Sequence, residues 1–288
     1  MTAPHLFCFG LGYSAGFLAR DLISQGWRVS GTCRSAEKAA SLRGQGIAPH
    51  LFDRGRPLDD AATALAGVTH LLSSVPPDEA GDPVLDQHRD VLDAVAPKLA
   101  WIGYLSTTGV YGDRAGGWVD EDSALTPSGE RGRRRVAAER AWLGLRQPAH
   151  LFRLAGIYGP GSSALDTVRE GRAKRVAKPG QVFSRIHVDD IVQVLEASMA
   201  RPNPGTAYNV CDDDPAPPAD VIAYACELLG VAPPPEIPFA EADLSPMARS
   251  FYDDNKRVDN KRIKRALGVT LRYPSYRAGL QAILAAGS

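Results

Sequence analysis

A short apolar segment that runs directly into a glycine-rich turn constrains the fold of this 288-residue chain more than any other feature. Residues 5–9 read HLFCF, and residues 10–15 read GLGYSA, which fits the pattern G-x-G-x-x-A. In that pattern the first glycine permits a tight turn, the second lets the backbone approach a pyrophosphate, and the third small residue lets a helix pack closely on a strand. The segment therefore predicts a strand, a turn and a helix that open a dinucleotide-binding βαβ unit.

Apolar runs then alternate with amphipathic segments up to about residue 155. The runs typical of buried parallel strands span residues 5–9, 27–32, 47–52, 68–75, 101–106 and 150–155. Segments 13–25, 36–45, 58–66, 84–99 and 133–146 fit helices, and in 84–99 apolar residues recur every three or four positions. Such alternation predicts an α/β fold with a Rossmann-type, doubly wound parallel sheet and helices on both of its faces.

The alternation changes after residue 155. A strand is predicted over 182–187, a helix over 189–200 and another strand over 207–211. The proline-rich stretches 215–218 and 233–238 then favour loops and short helices. We therefore expect residues 1–160 to form a dinucleotide-binding core to which 182–212 return. Residues 161–181 and 213–288 would form a small C-terminal substrate lobe.

Composition argues against several classes of protein and site. Lys plus Arg and Asp plus Glu both number 33, so the formal charge is zero, which disfavours a nucleic-acid partner. The four cysteines are far apart, which disfavours a metal site and a disulfide framework and fits reduced thiols. The N-terminus lacks the basic region of a signal peptide, and no apolar stretch reaches the roughly 20 residues that span a bilayer. We expect a soluble cytoplasmic protein with no membrane partner.

The residues that follow the second strand predict the cofactor. An acidic residue there accepts a hydrogen bond from the ribose 2′-hydroxyl of NAD, whereas an arginine accommodates the 2′-phosphate of NADP. This chain reads GTCRS over residues 31–35, with no acid, which predicts NADP bound by Arg34 and Ser35 and leaves NAD possible. Asp53, after the third strand, would accept from the adenine amino group or cap the next helix. The other predicted contacts are the turn residues Gly10, Gly12, Tyr13, Ser14 and Ala15 and, after the fourth strand, Ser73, Ser74 and Val75.

Four further segments resemble a known family. Residues 105–113, LSTTGVYGD, are similar to the fifth-strand segment of extended short-chain dehydrogenases/reductases, the NAD-dependent epimerase/dehydratase group. Residues 153–161 (RLAGIYGPG), 186–191 (IHVDDI) and 208–210 (YNV) match that family in the same order. With the glycine turn, the resemblance covers the chain from residue 5 to about 212.

The resemblance implies a catalytic set of Ser or Thr, Tyr and Lys, and this chain departs from it. Thr107 matches the Ser/Thr position, which orients the substrate oxygen. In the family a glutamate follows the tyrosine by eight residues, and when Glu139 is placed in that frame, Arg131 and Arg135 occupy the Tyr and Lys positions. A guanidinium cannot exchange a proton near pH 7, so Arg131 cannot replace the phenol as general acid/base. Arg135 could still bond ribose hydroxyls of the cofactor. The pattern is similar to atypical short-chain dehydrogenases that keep the cofactor motif and lose the Tyr–Lys pair.

Other groups could take over the proton transfer. Tyr111 and Tyr158 follow predicted strands, and His187 precedes two aspartates; the alternatives are an aromatic pocket wall for the tyrosines and a turn with a helix cap for His187. Arg131 and Arg135 could also clamp an anionic substrate, or the whole basic run could be a solvated helix face.

Two functions therefore remain open. The first is an NADP-dependent oxidoreductase or epimerase that acts on a small polar, anionic or sugar-like substrate. The second is a non-catalytic NADP-binding sensor or assembly protein, and a nucleic-acid binder ranks well below both. The family resemblance also implies a possible homodimer.

Overall fold

The computed structural model describes residues 3–287. Its strands, in chain order, are β1 (His5–Phe9), β2 (Arg28–Cys33), β3 (Ala48–Leu51), β4 (His70–Ser73), β5 (Trp101–Thr107), β6 (Trp118–Val119), β7 (His150–Leu154), β8 (Gly156–Tyr158), β9 (Arg175–Ala177), β10 (Arg185–His187), β11 (Ala207–Val210), β12 (Glu236–Pro238) and β13 (Arg257–Val258). The α-helices are α1 (Tyr13–Ser24), α2 (Ala36–Gly44), α3 (Ala61–Ala64), α4 (Pro83–Val95), α5 (Glu130–Leu143), α6 (Ala164–Arg169), α7 (Val188–Ala200), α8 (Pro218–Leu228), α9 (Pro246–Ser250), α10 (Lys261–Leu267) and α11 (Tyr276–Ala285). Short 3₁₀ helices cover Ala96–Lys98, Thr108–Tyr111 and Phe251–Asp253.

Seven strands form one parallel sheet in the order β11-β7-β5-β4-β1-β2-β3. The chain order reverses between β1 and β4, so the carboxyl ends of these two strands flank the switch point at which doubly wound sheets bind ligands. The Rossmann-type sheet predicted from the alternating apolar runs is confirmed. The predicted strands coincide with β1 to β5, β7 and β11 to within a few residues at each end.

The chain divides into two compact units. The first takes in the described residues up to Thr107 together with Arg134–Arg153 and Val192–Tyr208. The second takes in Thr108–Arg133, Leu154–Ile191 and the described residues from Asn209 onward. The division falls within α5, α7, β7 and β11.

The first unit has a continuous apolar core. Buried side chains from its strands, including Phe7, Leu71 and Ile102, pack with helix residues such as Leu92 and Trp142. Gly31 lies so close to β1 that a Cβ there would clash with the Cys8 carbonyl oxygen. All four cysteines of the chain are free and buried, and burial raises the pKa of the Cys8 thiol well above its usual range.

The second unit is built from short parallel pairings, β8 with β10, β9 with β12 and β6 with β13. One apolar cluster joins Leu165 of α6, Ala225 of α8 and Leu280 of α11. A smaller cluster contains Val176, Ala242 and Tyr252.

Two helices begin at positions that differ from the predicted ones. The segment predicted over 58–66 is reduced to the four residues of α3, because the Asp60 side chain accepts from the Thr63 amide and starts the helix there. The segment predicted over 133–146 instead begins at Glu130, which pairs with Arg133 one turn later. Arg131 and Arg135 therefore both lie on α5.

Within residues 3–287, no helix combines the length and the apolar character needed to cross a bilayer.

Candidate functional site

The glycine turn after β1 is fixed by its neighbours β2 and β4. Gly10 has φ +84°, its amide donates to Thr32 Oγ1 at 2.7 Å, and the Leu11 amide donates to the Thr32 carbonyl at 2.8 Å. From the other side, Ser74 Oγ donates to the Gly10 carbonyl at 2.5 Å. A Cβ on Gly10 would lie 2.9 Å from that Ser74 hydroxyl. Position 10 therefore requires glycine, both for the positive φ and for the close approach of Ser74.

Gly12 leaves open space where α1 begins. Gly12 is the N-cap of α1 and offers no side-chain cap, and the first turn of the helix carries no acidic residue. A Cβ built on Gly12 would meet nothing within 4 Å. Tyr13 is exposed, whereas Ser14 and Ala15 are buried against the core. An uncapped helix end with unobstructed backbone suits an anionic group, so these residues fit the diphosphate of a dinucleotide.

The end of β2 carries a cation and no acid. Arg34 is exposed, and its side chain has no partner within the described part of the chain. Ser35 caps α2 by accepting from the Lys38 amide at 3.2 Å, which leaves its hydroxyl hydrogen available. An exposed guanidinium suits a phosphate, and residues 31–35 contain no acidic side chain that could accept from a ribose 2′-hydroxyl.

Asp53 stabilises the turn that follows β3. Its Oδ1 accepts from the Gly55 amide at 3.0 Å, and its Oδ2 accepts from Arg56 Nη2 at 2.8 Å. The next helix is capped by Asp60 instead. Asp53 therefore does not cap the next helix, which was one of the two roles considered for it.

The residues after β4 lie beside the turn. Ser73 is fully buried, and its hydroxyl has no hydrogen-bond partner within residues 3–287. Ser74 bonds the Gly10 carbonyl, and Val75 lies 3.1 Å from the Cβ that Gly10 lacks. Ser74 and Val75 therefore line the inner side of the glycine turn.

Arg135 reaches back to the end of β5. Its Nη1 donates to the Leu105 carbonyl at 2.6 Å and to Tyr104 Oη at 3.2 Å. Its Nε and Nη2 have no protein partner in the described part of the chain, so they are available to a ligand. Thr107, the last residue of β5, is half-buried. Thr107 and Arg135 both belong to the first unit, with the predicted cofactor contacts.

Glu139, the glutamate that set the family frame, is fully engaged inside the protein. It accepts from Ser106 Oγ at 2.5 Å and forms an ion pair with Arg153 at 2.9 Å. Only 2% of its side chain is exposed, so this group holds α5 to β5 and β7 and does not reach a ligand.

The other two candidate catalytic residues, Tyr111 and Arg131, belong to the second unit. Tyr111 is fully buried, and its hydroxyl donates to Asn209 Oδ1 at 2.7 Å. Arg131 is exposed, with its guanidinium carbon 5.4 Å from the centre of the Phe251 ring. Neither side chain therefore offers a general acid at the surface, because Tyr111 is buried and the Arg131 guanidinium does not release a proton near pH 7.

Tyr158 and His187 lie together in the second unit, with ring centres 5.2 Å apart. Burial raises the pKa of the Tyr158 phenol well above its usual range and lowers the pKa of His187. His187 Nδ1 accepts from the Asp189 amide at 3.2 Å at the start of α7. This is the turn and helix start considered as the structural alternative for His187.

Two residues that contribute to the site were missed in the sequence. Thr32 fixes the glycine turn through its hydroxyl and its carbonyl, and the signal was a hydroxyl at the end of the predicted strand 27–32. Arg56 bonds both Asp53 and the Arg34 carbonyl, the latter at 2.8 Å. Its signal was the spacing of an acid and an arginine three residues apart in a glycine-containing turn.

Comparison with solved structures places the fold. A protein of unknown function from Silicibacter pomeroyi DSS is 54% identical, with a TM-score of 0.93 over 99% of both chains. A protein assigned as an NAD-dependent epimerase/dehydratase from Methylobacillus flagellatus is 26% identical, with a TM-score of 0.71 over 100% of this chain and 99% of that one. The dTDP-glucose 4,6-dehydratase of Bacillus anthracis str. Ames, solved with NAD, is 15% identical and shares the fold, with a TM-score of 0.75 over 99% and 96% of the two chains.

Comparison of sequences adds one shorter match. No family model matches the chain. A 3-diazoavenalumate denitrifying reductase from a Streptomyces species is 30% identical over 141 residues, which are 45% of this chain and 45% of that protein. The match thus spans less than half the length of that relative.

Proposed function

Because the fold is that of the NAD-dependent epimerase/dehydratase family of extended short-chain dehydrogenases/reductases, we propose that this chain binds NADP(H) and acts on a small polar substrate. The reaction would be an oxidoreduction or an epimerisation, carried out with a non-standard set of catalytic residues. The substrate class proposed is a sugar-like or anionic small molecule.

One observation carries the proposal: the open glycine turn at the start of α1. Gly10 is held in a left-handed conformation between Thr32 and Ser74, while Gly12 leaves the helix end uncapped and unobstructed. The dipole and the free amide groups of a helix end favour a negatively charged group there. A dinucleotide diphosphate would occupy this position, with Ser74 and Val75 on its inner side.

The end of β2 supports NADP over NAD. Arg34 supplies an exposed guanidinium with no partner within residues 3–287, and Ser35 retains a hydroxyl hydrogen. A guanidinium binds phosphate through charge-assisted hydrogen bonds, whereas a ribose 2′-hydroxyl requires an acceptor that this strand end lacks. When bound, the nicotinamide would supply hydride chemistry.

The residues of the chain would orient the reactants. Arg135 is fixed on the Leu105 carbonyl and retains Nε and Nη2 for ribose hydroxyls. Thr107 would orient the reacting oxygen of the substrate. Arg131 would not act as the proton donor, because a guanidinium does not deprotonate near neutral pH.

A second candidate function is a non-catalytic NADP(H)-binding protein. The positions of two candidate catalytic residues favour this non-catalytic function. The Tyr111 hydroxyl is buried and donates to Asn209, and the Arg131 side chain lies over the Phe251 ring. Such a protein would keep the dinucleotide site and use its occupancy as a signal or for assembly.

Two measurements separate these functions. Calorimetric titration with NADPH and NADH tests the dinucleotide site, and the absence of binding by both would overturn the proposal. NADPH consumption is then followed with aldehydes, ketones and nucleotide sugars. Turnover of any of them supports the enzyme, whereas NADPH binding without turnover across the panel favours the non-catalytic protein.

A further inference from the structure

We propose that Arg56 is a specificity-determining residue of the NADP(H) site, where it and Arg34 together bind the 2′-phosphate of the adenosine ribose. This inference rests on the proposed function and adds a residue from a different strand. It concerns only residues of the first unit.

The turn after β3 brings Arg56 to the end of β2. Asp53 and Arg56 form an isolated antiparallel bridge, with both of their backbone hydrogen bonds at 3.0 Å. From this turn, Arg56 Nη2 donates to the backbone carbonyl of Arg34 at 2.8 Å. Arg34 directly follows β2, so the Arg56 guanidinium contacts the backbone at the strand end where this type of fold recognises the ribose substituent.

The hydrogen bonds of Arg56 leave some of its guanidinium N–H groups available to a ligand. Nη2 donates one hydrogen to the Arg34 carbonyl and the other to Asp53 Oδ2. Nε is buried without a hydrogen-bond partner, and Nη1 makes no hydrogen bond within residues 3–287. The side chain is 42% exposed, so Nη1 and its two donors can be reached by a ligand.

Asp53 acts here as a positioning residue. Its carboxylate is bonded to the Gly55 amide and to Arg56, which fixes the guanidinium before any ligand arrives. Since less conformational freedom then remains to be lost on binding, a fixed arginine binds phosphate more effectively than a mobile one.

The local charge matches a phosphate group. Arg34 and Arg56 give two positive charges, of which Asp53 offsets one, and the Arg34 guanidinium has no protein partner in the described part of the chain. A phosphomonoester carries roughly −1.5 to −2 charges near pH 7. NAD has an uncharged hydroxyl at the same place, so removal of Arg56 would weaken NADP(H) binding selectively.

The test compares ligands with and without that phosphate. Calorimetry measures the binding of 2′,5′-ADP, 5′-AMP, NADPH and NADH to the full chain and to Arg56→Gln, Arg34→Gln and the double variant. Because a hydrogen bond between charged groups contributes strongly to binding, Arg56→Gln should lower the affinity for 2′,5′-ADP and NADPH by about tenfold or more. The affinity for 5′-AMP and NADH should change by less than about twofold. Arg140→Gln, an exposed arginine of α5 that contacts neither residue, is the matched control for loss of one charge.

The possible results have distinct meanings. A selective loss of the phosphorylated ligands in Arg56→Gln but not in Arg140→Gln supports the inference. Equal losses for NADPH and NADH, or no loss, overturn the role of Arg56 while leaving dinucleotide binding intact. If the full chain binds neither NADPH nor NADH, the proposed function itself fails, and this inference fails with it. Retained NADH affinity in the variant shows that the substitution has not unfolded the site.

Discussion

The carboxylate of Glu139 and the guanidinium of Arg153 form an ion pair at 2.9 Å in which the two side chains are only 2% and 6% exposed. Ser106 Oγ adds a hydrogen bond to the same carboxylate. Glu139 lies on α5 and Arg153 on β7, so the pair connects a helix to the sheet inside the first unit.

Removing one partner of this pair should destabilise the fold strongly. Glu139→Ala removes the acidic partner of a buried guanidinium, which costs about 3–5 kcal/mol of unfolding free energy. Urea denaturation of both proteins measures the difference. The double variant Glu139→Leu with Arg153→Met should recover much of the loss, because both charges of the pair are then removed; a double variant as unstable as Glu139→Ala would contradict this account.

The two turn glycines should respond differently to alanine. Gly10→Ala places a side chain at φ +84° and 2.9 Å from Ser74 Oγ, so we expect a loss of more than about 1 kcal/mol of stability. Gly12→Ala has normal dihedral angles and open space, so stability should change by less than about 0.5 kcal/mol while NADPH affinity falls.

Gly46→Ala is the control for this pair. Gly46 also has a positive φ, of +78°, but a Cβ there would meet nothing within 4 Å, so its loss of stability reports conformational strain alone. Urea denaturation and NADPH titration are measured for all three variants. Unchanged NADPH affinity in Gly12→Ala would argue against a diphosphate at that position.

Asp212 should make stability fall as the pH rises. Burial raises the pKa of its carboxyl from 3.8 to about 8, and its Oδ2 has no hydrogen-bond partner within residues 3–287. Between about pH 4 and pH 8 the folded chain then holds a proton that the unfolded chain has released, so stability decreases through that window.

Asp212→Asn isolates this contribution, because the amide resembles the protonated acid and does not titrate. The unfolding free energy of the original chain minus that of Asp212→Asn should fall with rising pH, with a slope of up to about 1.4 kcal/mol per pH unit. Denaturation at several pH values measures it, and a difference that stays constant from pH 4 to pH 8 would refute the raised pKa.

Tyr111→Phe should lower stability and leave dinucleotide binding unchanged. The substitution removes the hydroxyl that donates to Asn209 Oδ1 at 2.7 Å in a fully buried position. Leaving that acceptor unsatisfied costs about 1–3 kcal/mol. Thermal or urea denaturation gives the loss, and NADPH calorimetry gives the control; if activity is found, a loss of turnover at unchanged stability would instead indicate a catalytic hydroxyl.

The parts of the fold that local sequence determines were predicted correctly. Apolar runs located β1 to β5, β7 and β11, and the glycine spacing located the turn before α1, since both signals lie within a few residues. The resemblance of residues 5 to about 212 to the epimerase/dehydratase group is confirmed by the structural neighbours.

Features that depend on tertiary contacts could not be predicted in the same way. The contact of Arg56 with the Arg34 carbonyl depends on the register of β2 with β3, and the pairing of Glu139 with Arg153 depends on how α5 packs on β7. The start of α3 was set by one capping side chain, Asp60, among several polar candidates. NADP preference and the catalytic roles remain predictions.

The bare N-terminus of α1 has a consequence for how this protein should be handled. Ser35, Asp60 and Asp82 cap the N-termini of α2, α3 and α4, whereas α1 begins after Gly12, which has no side chain to cap it. An anion bound at this helix N-terminus would accept hydrogen bonds from its amide groups. Because such an anion binds only the folded chain, its binding would raise the free energy of unfolding. Preparations that carry bound nucleotide through purification would then melt at a higher temperature than stripped ones, and the melting temperature itself becomes a way to screen ligands.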